Sequence, residues 1–66
     1  MTMFDEKALA LVAVDDLADS GQHAITKKAA RHFLQNSTAE NRISFICAYD
    51  RLDRSTKTAM RSKANR

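Results

Sequence analysis

Cys47, His23 and His32 are the residues here whose types could attack a substrate, move a proton or hold a metal. A thiol nucleophile needs a nearby imidazole and a setting that favours the thiolate, such as a helix N-terminus or a cationic neighbour. Cys47 lies between Ile46 and Ala48 in an apolar stretch, which predicts a buried, inert thiol. The two histidines fall among Lys27, Lys28 and Arg31, where a metal cation would be repelled. One cysteine is also too few for a zinc site. Asp15, Asp16 and Asp19 fail as a calcium loop, because Thr26 stands where the closing glutamate belongs. The chain has no phosphate-binding loop, dinucleotide fingerprint, H-E-x-x-H or paired-cysteine pattern. The expectation is a protein that is not an enzyme, with no cofactor and no metal.

The basic residues form a stronger pattern. Lys27, Lys28 and Arg31, followed by Arg51, Arg54, Lys57 and Arg61, could neutralise several phosphates. Thr38, Asn41 and Arg42 are of types that read base edges. The net charge of +3 conceals a gradient. Residues 1–20 hold five acids against Lys7, whereas residues 51–66 hold six cations against Asp53. Such separation directs long-range encounter with a charged partner. A helix-turn-helix register with Ala30 at the usual alanine puts Ala29, Phe33 and Ile43 at core positions. It also puts Leu34 where glycine belongs and Glu40 where an aliphatic is needed. A turn three residues longer brings Ile43 and Ile46 into register, and registers built on Gly21 bury Asp16 and Lys27. A standard helix-turn-helix is therefore not expected, and an elongated variant stays open.

The elements that must position these residues are helices. There is no proline and one glycine among 66 residues, so strands and hairpins would lack their turns. The expectation is a single all-α domain over 1–66, with three helices near 3–20, 22–35 and 38–62. Thr2 would cap the first helix at Met3, and Ser20-Gly21 would end it, Gly21 supplying the left-handed residue. Thr26 offers an alternative start to the second helix, and Asn36 its closing residue. Ser37 and Glu40 form an S-x-x-E capping box opening a long C-terminal helix. That helix is carried past Leu52 by Asp50–Arg54 and Asp53–Lys57 pairs at i,i+4. Lys27, Lys28 or the late arginines should offset the three aspartates at the unfavourable end of the first helix.

The predicted core is Phe4, Leu11, Val14, Ile25, Phe33, Leu34, Ile43, Ile46 and Leu52. A domain this small buries about 60% of its unfolded surface and is marginal without further support. The apolar runs 8–14 and 43–49 exceed what one small core covers. A homodimer is therefore expected, with Leu9, Val12, Phe45 and Tyr49 meeting a partner. No run approaches the roughly 20 apolar residues that span a bilayer, and the first residues are acidic where a secretory leader is basic. Together these features predict a small cytoplasmic regulator that binds DNA through a basic face on its second and third helices. The alternative is a helical antagonist or adaptor that docks on another regulatory protein and modulates it.

Overall fold

A computed structural model describes residues 5–65 of the chain. These fold into four helices: α1 (Glu6–Asp16), α2 (Gly21–Gln35), α3 (Ala39–Asp50) and α4 (Arg54–Ala64). The all-helical class agrees with the sequence; the single long C-terminal helix does not. α2 lies between α1 and α3, and α4 returns to pack against α1.

Each helix start follows from a short polar side chain. Asp5 caps α1, accepting from the amides of Lys7 (3.1 Å) and Ala8 (3.3 Å). The expected start at Met3, with its Thr2 cap, lies outside the described residues. α1 stops at Asp16 rather than running to residue 20, and Leu17 turns extended and buries its side chain. Extending the helix would have placed more of the acidic cluster at its negative end. Gly21 adopts φ +60° where α2 opens, so its left-handed conformation serves the junction into α2. α2 closes on an extended Asn36, and the Ser37 hydroxyl donates to the Phe33 carbonyl at 3.1 Å. The expected capping box is displaced by one residue: Thr38 caps α3 by accepting from the Asn41 amide at 3.1 Å.

The predicted long helix breaks at residues 51–53. The Arg51 and Leu52 amides bond three residues back, to Ala48 (3.2 Å) and Tyr49 (3.0 Å), tightening the last turn. Leu52 then drops into the core, and Asp53 caps α4 through the amide and hydroxyl of Thr56. Those bonds hold the Asp53 carboxyl below the usual carboxylate range. The carboxylate is thus spent on Thr56 rather than on Lys57, and Asp50 and Arg54 belong to different helices.

The core centres on Leu9, Ala10 and Ala13 of α1, Ala30 and Phe33 of α2, and Phe45 and Tyr49 of α3, closed by Leu17, Leu52 and Met60. Phe33 stacks on Phe45 with centroids 6.1 Å apart, and Phe45 meets Tyr49 at 6.3 Å. This stack sets the rotation of α3. It turns Phe45, Tyr49 and Leu52 inward and leaves Ile43 55% exposed. The fully enclosed alanines of α1 turn Leu11 out, to 56% exposure, and Ile25 is 59% exposed on α2. Leu11, Ile25 and Ile43 were expected in the core and are corrected to the surface. Phe33 and Leu52 are buried as expected, Val14, Leu34 and Ile46 pack against the core, and Phe4 lies outside the described residues.

Thr26 is fully buried within α2 and so does not cap it. Its hydroxyl lies 2.9 Å from the Gln22 carbonyl and 3.1 Å from the Ala48 carbonyl, and the Gln22 amide reaches Ala48 at 3.1 Å. α2 thereby adds side-chain donors to a carbonyl at the end of α3 that already accepts the Arg51 amide.

Candidate nucleic-acid interface

Cations contribute to phosphate binding in proportion to how free they are, so their partners come first. Three are held by carboxylates. Lys27, whose side chain is only 16% exposed, binds Asp19 at 2.9 Å, and this bond lowers the Asp19 pKa. Arg42 binds Glu6 at 2.9 Å, and Lys63 binds Asp16. Two of these pairs involve the aspartates flanking the end of α1, so those charges are offset from α2 and α4.

The expected base-reading trio is occupied internally. The Thr38 hydroxyl caps α3. The Asn41 amide donates to the Asn36 carbonyl at 2.8 Å, closing the end of α2. Arg42 is drawn toward α1 by Glu6. The opening turns of α3 are therefore committed to joining helices, and the structure does not gather these three residues on a free reading surface.

Lys28, Arg31, Arg51, Arg54 and Arg61 are exposed and make no ion pair among the described residues. They do not form one face. Lys28 and Arg51 border α2 and α3, with Ile25 between them. Arg31 acts on Asp19, beyond the end of α1. Arg54 and Arg61 lie on α4, which has four cations and no acid within its eleven residues. Met60 is the buried residue of α4, with Ala64 packed beside it. Arg54, Thr58, Arg61 and Asn65 recur at helical spacing along its exposed side. The Tyr49 hydroxyl donates to the Lys57 carbonyl at 3.2 Å and helps seat the helix. Burial pushes the Tyr49 phenol upward, so the donating form persists at neutral pH.

The residues expected to meet a partner are mostly interior. Leu9 and Phe45 are fully enclosed, Tyr49 is buried and Val12 is half-buried. Their apolar runs close inward, and any free apolar surface falls instead on Leu11, Ile25 and Ile43. Cys47, expected buried, is exposed. It is separated from both histidines in the cavities they line: His32 borders one with Ser44, and His23 another with Asp16 and Thr56. The His23 Nδ1 accepts from the Ala18 amide at 3.5 Å, which gives that ring a structural task. Among the described residues no group of His, Cys, Asp and Glu could hold a metal, and no helix is long and apolar enough to cross a membrane.

Comparison of the chain with protein-family models, with curated proteins and with solved structures found no match.

Proposed function

We propose that this chain is a small regulator that binds DNA through the outward side of α4 and has no catalytic role. The observation that carries this reading is the acid-free composition of α4, with Arg54 and Arg61 exposed and, among the described residues, without carboxylate partners, on a helix anchored by Met60. Arginine on a seated helix approaches phosphate with a planar fork, and the neighbouring Thr58 and Asn65 are of types that meet base edges. The basic face of the sequence thus contracts to its last third. An exposed, unpaired thiol is suited to the reducing conditions of the cytoplasm.

Counterion release makes the reading quantitative. Lys27, Arg42 and Lys63 already have partners and should add little to the salt dependence. Arg54 and Arg61 leave about two phosphate contacts, giving a log–log slope near −2. Titration of a labelled duplex at several salt concentrations checks this. The double substitution Arg54→Ala with Arg61→Ala should reduce the slope by about two units, while Lys27→Ala leaves it unchanged. Absence of binding at low salt, or an unaltered slope in the double variant, removes the proposal.

A further inference from the structure

The outer surface of α2 and α3 carries two concavities on either side of Ile25. One, of about 400 Å³, opens beside Lys28, Ala29 and Ser44. The other, of about 190 Å³, opens beside Cys47 and Arg51. Among the described residues no carboxylate lines either, and neither Lys28 nor Arg51 makes an ion pair. Ile25, 59% exposed, forms an apolar ridge between two cationic flanks.

We propose that this surface receives an acidic amphipathic helix of another protein. On α2 one is lined by residues from Ile25 to His32 and the other by Gln22 and Ile25, so their midpoints lie five residues apart, about 7.5 Å along the helix. Two apolar side chains one to two turns apart on an incoming helix would fill them, as in helix-in-groove recognition. Carboxylates beside those anchors would meet Lys28 and Arg51, steering the approach and fixing the orientation. A second copy fits poorly: a two-fold contact centred on Ile25 sets the Lys28 side of one copy against the Arg51 side of the other, cation against cation. The acidic segment of this chain is not available either, because α1 is packed in the core and Glu6, Asp16 and Asp19 already hold cations. A nucleic acid would meet the cations but would press phosphate against the Ile25 ridge.

The probe is a labelled helical peptide with leucines at i, i+4 and i+7 flanked by glutamates, paired with a version carrying lysines in their place. Anisotropy titration should show micromolar binding of the acidic peptide and at least tenfold weaker binding of the basic one. Ile25→Asp, and separately Lys28→Glu with Arg51→Glu, should each weaken the acidic peptide about tenfold or more, with helical circular dichroism unchanged. Arg54→Ala with Arg61→Ala should leave peptide affinity intact while reducing any duplex affinity, so the two surfaces fail independently. Equal binding of both peptides, equal loss in the α4 variant, or stoichiometric competition by duplex DNA would overturn the assignment. So would a dimer in sedimentation that Ile25→Asp dissolves, since the occupant would then be a second copy.

Discussion

α1 and α4 have eleven residues each and pack against one another, yet they are built on opposite terms. α1 has an apolar middle and buries Leu9, Ala10 and Ala13. Its alanines let neighbouring backbone come close, so a helix that looks apolar all round needs little cover. α4 buries Met60 and presents arginine, threonine and serine around the rest of its surface. Apolar content alone therefore does not locate a free surface: the richer helix is consumed by the fold, and the poorer one is left largely facing solvent.

Core substitution gives the largest test of that contrast. Phe45→Ala removes the middle ring of the aromatic stack and should cost about 3–5 kcal/mol, enough to unfold most of a marginal domain. Met60→Ala should cost about 2 kcal/mol and spare the α1–α2–α3 core. Urea melts followed by circular dichroism separate the two; equal losses would mean that α4 is as integral to the fold as α3.

A finer test uses the start of α4. Asp53→Ala removes the cap that separates α4 from α3. Amide exchange should accelerate across residues 54–64 while residues 9–13 and 45–49 keep their protection, and DNA affinity should fall with the lost order. Uniform acceleration would show one cooperative unit and end the distinction between a structural helix and an outward one.

Titration provides the smallest effects. Hydrogen bonds from Lys27 and Thr56 lower the folded-state pKa values of Asp19 and Asp53. Their contributions are complete above the unfolded carboxylate range near pH 4 and are lost as pH falls through the lowered values. The Tyr49 shift has the opposite sign: its contribution is complete below about pH 10 and is lost as pH rises through the raised value. In Tyr49→Phe the alkaline loss should vanish, whereas the acid loss should remain. A stability profile flat from pH 3 to 11 would contradict both assignments.

Much of the fold was legible in the sequence. The scarcity of glycine and proline gave the class, and α2 lies within a residue of its expected span. Phe33 and Leu52 were readable as core because large apolar residues on otherwise polar segments have few alternatives. The break after α3 was harder to see because Asp53 could serve two local purposes. Its spacing to Lys57 suits an ion pair, and its spacing to Thr56 suits a cap. The Asp53-x-x-Thr56 pattern beside Leu52 was the available signal, and it favours the cap once Leu52 must turn inward. Ile43 was expected inward and Phe45 toward a partner, and the structure reverses them; the choice rests on Phe33, which local periodicity cannot position. The site was least legible at Asn41 and Arg42. Their types suit base edges, but their partners, Asn36 and Glu6, depend on how helices meet.

The ion pair between Lys63 and Asp16 joins residues 47 positions apart in the chain. Because α4 follows α1, α2 and α3 in the chain, α1 is made before the segment that covers its remaining side. Until α4 is made, the nascent chain carries an uncovered flank beside Leu17 and an aspartate awaiting its lysine. Docking of α4 is thus a long-range event, and a chain cut back before residue 54 would leave that flank of α1 open to a chaperone.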